Sequence, residues 1–258
     1  MNNVRQQWVG FYTILHKEIT RIFRIWPQTI IPPIVTNSLF FVIFGNVVGR
    51  RIGLMGGFSY MEFITPGLII MSVINASYTN AFGSFFSTKI QRSIEEMLVA
   101  PMSYWVIIMG FVVGGIIRGL LVAIVVTIAS TFFTKLHFHS WFIIISVCIL
   151  SSAIFSLAGI INGIYAKKFD DVAFMRTFVL TPLTYLGGVF YSTRLLKGHW
   201  HVLSSMNPIV YIVNTFRFGQ LGAPKFQIMY AYGVMILTVV VLFFFSLWAF
   251  HMSKDIRK

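Results

Sequence analysis

The stretch Trp105–Phe133, WVIIMGFVVGGIIRGLLVAIVVTIASTFF, decides the class of this protein. It carries one charge, Arg118, in a run longer than the roughly 20 apolar residues a helix needs to cross a bilayer core. A helix that is apolar all round cannot lie on the surface of a soluble domain. Working outward, similar runs recur. Ile25–Gly49 reads as a first span and Phe63–Thr88 as a second, with Trp105–Phe133 third. Trp141–Ala166 follows as the fourth, Thr177–Thr193 as a shorter fifth and Phe226–Ser253 as the sixth. Pro32, Pro33, Pro66 and Pro182 fall in or beside spans, where neighbouring helices can satisfy the freed carbonyls. The expected fold is an all-α membrane protein with six transmembrane helices in a single domain. Residues 1–24 form a cytoplasmic-side amphipathic helix, 25–253 the bundle and 254–258 a basic tail.

Composition points the same way. Of 258 residues 57% are hydrophobic and 10% charged, whereas soluble domains run near a quarter charged. A net charge of +13 could suggest nucleic acid. The basic residues, however, stand singly or in twos and threes between apolar runs, so no basic face assembles; they suit anionic headgroups and cytoplasmic helix ends. No nucleic-acid partner is expected. The single cysteine, Cys148, allows no intrachain disulfide and reads as a small core residue. Met1–Arg24 interleaves charge with apolar residues and so lacks a signal-peptide core; the N-terminus is expected to stay attached and inside. With six spans both termini are then cytoplasmic. The outside segments hold Arg50, Arg51, Lys135, Arg194, Lys197, Arg217 and Lys225, fewer cations than the inside segments hold, which is the bias expected of that orientation.

Three segments outside the long runs carry pattern. Trp8, Phe11, Tyr12, Leu15, Ile19, Ile22 and Trp26 recur at helical spacing opposite Arg5, Gln6, Thr13, Lys17, Thr20 and Arg24. This describes a helix lying in the membrane interface, or one packed on a partner protein. In KIQRSIEEMLVAP, Lys89–Pro101, an apolar stripe of Ile90, Ile94, Met97 and Leu98 faces Lys89, Arg92, Ser93, Glu95 and Glu96, and Pro101 stops the helix. It is either a grip for a cytoplasmic partner or a solvated loop helix. Residues 194–225 are too apolar for a free loop and read as short re-entrant or interfacial helices between spans five and six.

The chemistry of sites is sparse. No G-x-x-x-x-G-K-[ST] occurs, so ATP cannot be held by that device. His137 and His139 have no nearby Cys, Asp or Glu to complete a metal site and read as an interfacial turn beside Trp141. No serine is paired with His and Asp at one face. Glu18, Glu62, Glu95, Glu96, Asp170, Asp171 and Asp255 all fall outside the apolar runs. That counts against a proton-coupled secondary transporter, which keeps a carboxylate within a span. Such a carrier, or a channel, is the alternative reading. Gly110 and Gly114, Gly115 and Gly119, and Gly159 and Gly163 stand four apart, the spacing of close helix–helix contacts.

Several stretches together resemble the ABC-2 type permeases, the membrane subunits of ATP-binding cassette exporters. R-x-x-E-E-x-L-x-A-P, Arg92 to Pro101, is similar to the family's coupling segment. TPLTYLGGVFYS, Thr181–Ser192, resembles its fifth helix, and N-P-I-V-Y-x5-R, through Asn207, Pro208, Tyr211 and Arg217, matches the core of its signature. Phe169, Asp170 and Asp171 fit a cytoplasmic turn of the family; Leu196 followed by Lys197 departs from its usual Leu-Pro. The resemblance covers the whole chain. It implies a homodimer in the bacterial inner membrane working with a separate cytoplasmic ABC ATPase subunit, and export of a cargo. Lys89, Arg92, Glu95, Glu96, Met97, Leu98 and Pro101 would couple to that ATPase. The chain itself would bind no cofactor, with ATP and Mg held on the partner, and would not be an enzyme alone. Arg118, deep in the third span, would face the interior, lining the cargo route or clamping carbonyls, or else serve as a structural arginine with Asn or Ser partners.

Overall fold

In the computed structural model the described residues are 3–45, 49–100, 102–168, 170–193, 198–222 and 227–253. The order is α1 Asn3–Arg24, α2 Trp26–Ile43, the short α3 Gly49–Ile52, a two-stranded hairpin of β1 Leu54–Met55 and β2 Phe58–Ser59, then α4 Tyr60–Ile90. There follow α5 Ser93–Val99, α6 Tyr104–Ser130, α7 Trp141–Tyr165, α8 Asp170–Met175, α9 Thr181–Leu186, α10 His199–Ser205, α11 Pro208–Leu221 and α12 Ile228–Met252.

Among the described residues four helices are long and apolar enough to cross a membrane: α4, α6, α7 and α12. They carry the expected second, third, fourth and sixth spans. The expected first and fifth are built differently. α2 contains Pro32 and Pro33 and buries Asn37. The fifth is assembled from α8, a π-helical turn Arg176–Leu180 and α9, and ends at Gly187–Gly188, where Gly188 has φ +76°. That conformation is open to glycine and strained for other residues, so the helix stops there. Against the all-α expectation, residues 54–59 form the small hairpin, whose Ser59 caps α4. The Ser59 hydroxyl accepts the Glu62 N–H at 3.3 Å and the Glu62 carboxylate accepts the Ser59 N–H at 2.8 Å, a reciprocal cap.

The glycine pairs of the sequence each receive a different neighbour. Gly110 and Gly114 lie against Ile14 and Glu18 of α1; Gly115 and Gly119 against Ser156 and Ser152 of α7 and Ser77 of α4; Gly159 and Gly163 against Tyr78 and Phe85 of α4. A methyl at Gly115 would collide with the Ser156 hydroxyl, so the α6 backbone packs directly on the small serine side chains of α7. α4, α6 and α7 thus form the centre. Phe85 continues it edge-on to Phe111 and to Phe250 of α12, at 5.6 and 5.9 Å.

α1 forms as expected, but its inner face is another one. The fully buried positions are Ile14, Glu18 and Ile22, one turn apart; of the expected stripe Ile22 is buried and Phe11, Leu15 and Ile19 are half-buried, while Trp8 and Tyr12, and Trp26 at the start of α2, are exposed. The packed face is thus turned away from the aromatic members of the stripe. The register runs from Gln7, whose side-chain oxygen accepts the Ser103 N–H at 2.9 Å, through Ile14 at Gly110 to Glu18 at Gly114. α1 and α6 therefore run side by side in the same direction, and α2 continues along α6 until Phe41 stacks on Phe133 at 5.2 Å.

Candidate translocation and coupling sites

The segment expected to couple forms α5, and its faces are sorted by burial. Ile94 is buried, with Met97 and Leu98 packed partly buried on a cluster that includes Ile107 and Ile108. Arg92, Glu96 and Val99 are exposed, Val99 at 88%, and Glu95 is half-buried. Arg92 starts α5 in the left-handed region, φ 58°, an uncommon conformation for a side chain of its size and the reason α4 turns sharply there. Ile90 is 51% exposed and lies off the packed stripe. Lys89 faces inward: its ammonium donates to the Ile164 and Ala166 carbonyls at 2.7 and 2.9 Å. Those are orphan carbonyls at the end of α7, where a cation is favoured. Lys89 therefore ties the α4–α5 corner to α7. Pro101 lies outside the described residues.

The signature residues hold the fifth span's end. Asn207 caps α11, its side-chain oxygen accepting the Ile209 N–H at 3.0 Å and its amide donating to the Leu183 carbonyl at 2.6 Å. Pro208 takes the first helical position, where a missing N–H costs nothing. The Tyr211 hydroxyl donates to the Ser205 carbonyl at 2.9 Å, bracing α10. Arg217 is 2% exposed; its guanidinium donates to the carbonyls of Phe63 at 3.1 Å and Gly188 at 2.8 Å and to the Asn214 side chain at 3.0 Å. It also lies 3.9 Å from the Phe63 ring centroid. A planar fork of five donors suits a clamp on several carbonyls at once. α11 sinks into the bundle: its C-terminal carbonyls at Gly219 and Gln220 accept N–H groups of Ser140 and His139, while its start touches α9. Phe169, Leu196, Lys197 and the 254–258 tail lie outside the described residues. Asp171 accepts the Lys167 and Lys168 N–H groups at 2.7 and 3.0 Å and so shapes the turn into α8.

Arg118 sits inside the bundle next to a residue the sequence reading misplaced. Its guanidinium donates to the Asn80 side-chain oxygen at 3.2 Å, and Arg21 donates to the same oxygen at 2.8 Å. Arg21 also pairs with Glu18 at 2.9 Å; Glu18 in turn accepts the Asn80 amide at 3.3 Å and the Ser84 hydroxyl. Glu18, read as lying outside the apolar spans, is fully buried between α1, α4 and α6. A carboxylate therefore does lie within the bundle, contrary to the expectation from the apolar runs. The signal was available: Glu18 and Arg21 at i, i+3, with Asn80 and Ser84 at i, i+4, place four polar groups on two helix faces. Arg118 lies about 21 Å along α6 from Tyr104 and about 18 Å from Ser130, near mid-height. Ser77, Ser152 and Ser156, at the adjoining glycine seam, have buried hydroxyls without a partner among the described residues.

The two histidines do not converge. His137 approaches Glu62 at 3.5 Å and His139 lies edge-on to Phe218. Among the described residues no three metal-ligating side chains come together.

Long apolar helices, closed on glycine seams with charge sequestered between them, make this a multi-pass membrane protein of the helical-bundle kind. More narrowly, the chain belongs to the ABC-2 type transporter family, which matches it over residues 9–221. It is 52% identical over 242 residues, 94% of each chain, to the inner membrane transport permease YadH of Escherichia coli strain K12, and equally similar to the protein of that name from Shigella flexneri. Nodulation protein J of Neorhizobium galegae is 21% identical over 225 residues, 87% of this chain and 86% of that one. The chain is thus a transport permease by family.

Proposed function

We propose that the chain is the permease half of an ATP-driven exporter of the bacterial inner membrane, two copies of it working with separately encoded cytoplasmic ATPase subunits. The observation that carries this reading is α5. It is a short helix between two spans, anchored by Ile94, with Arg92, Glu96 and Val99 facing out and Lys89 tying its corner to α7. An outward-facing helix on a rigid corner is what a partner needs in order to push on the bundle. With no phosphate-cradling loop in the sequence, ATP and Mg belong to that partner and this chain is no enzyme alone. In this orientation α5 and both termini are cytoplasmic, and α10 with α11 form a re-entrant pair from the outer side. α2 and the pieced fifth span complete six crossings. A second copy is implied by the fifth span, whose described side chains bury only Leu180 and Thr184 while Phe174, Phe178 and Leu183 stay exposed. The buried Glu18 is the one observation favouring a proton-coupled carrier. Its carboxylate, however, is fully engaged by Arg21, Asn80 and Ser84, which ties it to the packing of α1 against α4.

The test uses the protein's single cysteine, Cys148, which is 2% exposed. Glu96→Cys in the permease–ATPase complex should cross-link to the ATPase, while a cysteine at Phe132, 84% exposed at the far end of α6, should not. Cross-linking at neither or at both positions would overturn the reading.

A further inference from the structure

A groove of about 410 Å³ runs between α2 and α6 on the surface of the bundle. Ile34 and Ser38 of α2 line one side and Val125, Ile128 and Ala129 of α6 the other, with Phe132 and Phe133 in the turn that follows. Asn37 is turned away, its amide donating to the Ser72 hydroxyl at 2.8 Å, so α2 is held on α4 while Ser38 faces the groove. Ser38 and Ala129, the small residues of the lining, leave the space open. Phe133 stacks on the buried Phe41 and floors one end.

The groove has the depth of one leaflet. From Val125 to Phe132 the chain rises about 10 Å, most of half a hydrocarbon core of roughly 30 Å. It opens at the end of α6 and stops near mid-height. Beyond it α6 is covered by α1, with Ile14 on Gly110 and Glu18 on Gly114, and Arg118 is bonded to Asn80. An acyl chain can lie in such a groove but cannot pass through it, so its occupant is a resident and not cargo. Two residues past Phe133 stands Lys135, exposed, at headgroup level. The acid in its field, Glu62, is already engaged: it accepts the Ser59 N–H and hydroxyl at 2.8 Å and meets His137 at 3.5 Å.

We propose that this groove holds one resident anionic phospholipid, with an acyl chain between α2 and α6 and the phosphate at Lys135. The site stands whether or not transport is driven by ATP. Within a bilayer no hydrophobic force draws the chain in, because neighbouring tails are equally apolar. Occupancy rests on the dispersion contacts that an empty groove forfeits. Headgroup choice rests on Lys135, which favours an anionic headgroup by about five-fold. A second copy of the permease is the competing occupant. A helix is about 10–12 Å across, too broad to seat between two helices that already touch through Phe41 and Phe133.

The test reconstitutes the full-length permease in nanodiscs of equal parts dioleoylphosphatidylglycerol and dioleoylphosphatidylcholine and counts the retained lipids by native mass spectrometry. Ala129→Leu fills the groove and should retain one phospholipid fewer per permease than wild type. The lost lipid should be phosphatidylglycerol about five times as often as phosphatidylcholine. Ser38→Leu blocks the groove from the other helix and should give the same count, which keeps the test decisive if A129L does not fold. Lys135→Gln, in an exposed turn, should keep the count and lose the preference. Equal counts in wild type and the groove variants, or an undiminished preference in K135Q, would overturn the proposal. So would a disulfide between two copies through Ile128→Cys, since Ile128 is 57% exposed in the lining and the native Cys148 is buried. That bond would put a second copy where the lipid should lie.

Discussion

Replacing Glu18 by Gln should destabilise the bundle through repulsion rather than through lost packing. The carboxylate accepts from Arg21, Asn80 and Ser84 and is fully buried, and the amide has nearly the same shape. Arg21 and Arg118 both bond the one Asn80 oxygen, so their nearest nitrogens are at most about 6 Å apart. At an effective dielectric near 20, two unit charges at that distance repel by roughly 3 kcal/mol, which the lost carboxylate no longer offsets. This agrees with the roughly 3–5 kcal/mol seen on breaking buried pairs, at the lower end because Arg21 retains 26% exposure. In a chain of this length, roughly 3 kcal/mol corresponds to a fall of about 6–12 °C in unfolding midpoint. The assay is thermal unfolding of the purified permease in detergent, run as a double-mutant cycle with Arg118→Leu. Removing Arg118 also removes the repulsion, so E18Q/R118L should be more stable than the sum of the single effects implies. Strictly additive losses, or an unchanged midpoint in E18Q, would refute the electrostatic account.

Further outcomes follow from the other sites. Arg217→Met should cost about 2–5 kcal/mol, because the Phe63 and Gly188 carbonyls are left buried without donors; a midpoint within a degree of wild type would count against the clamp. Gly67→Ala should destabilise by about 1–3 kcal/mol, since its new methyl would sit 2.6 Å from the Val189 carbonyl oxygen, a backbone atom; an unchanged midpoint argues against that close approach. Reversing charge at Glu95 and Glu96 together to Lys should leave membrane insertion intact but block assembly or uncouple ATPase activity from transport. Wild-type transport in that variant would make α5 a mere solvated loop. The permease alone in nanodiscs should show background ATP hydrolysis, and activity surviving removal of every other subunit would sink the half-transporter reading.

The long apolar helices were legible in the sequence because they need no partner to be recognised. α6 and α7 declare themselves by length, and Gly110–Gly114 and Gly115–Gly119 by spacing. The spacing could not say that one pair seats α1 and the other seats serines of α4 and α7, since both pairs look alike until the helix orientations are known. α1 was read by its aromatic stripe, yet the inner face is the one with Glu18. A buried carboxylate is invisible to an apolar-run search, because its partners Asn80, Ser84 and Arg118 come from helices distant in sequence. The signature stood out as a motif, but its mechanics depend on tertiary contacts. Arg217 reaches Phe63 and Gly188, and only the folded chain brings those carbonyls together. Lys89, expected on the partner-facing side, turns to the end of α7 because two orphan carbonyls outbid solvent there.

The most direct test of the central claim uses inside-out membrane vesicles carrying permease and ATPase, with accumulated contents identified by mass spectrometry. The account predicts a compound that accumulates with hydrolysable ATP, not with a non-hydrolysable analogue, and still accumulates when a protonophore dissipates the gradient. Accumulation that needs no ATP and collapses with the protonophore would contradict it.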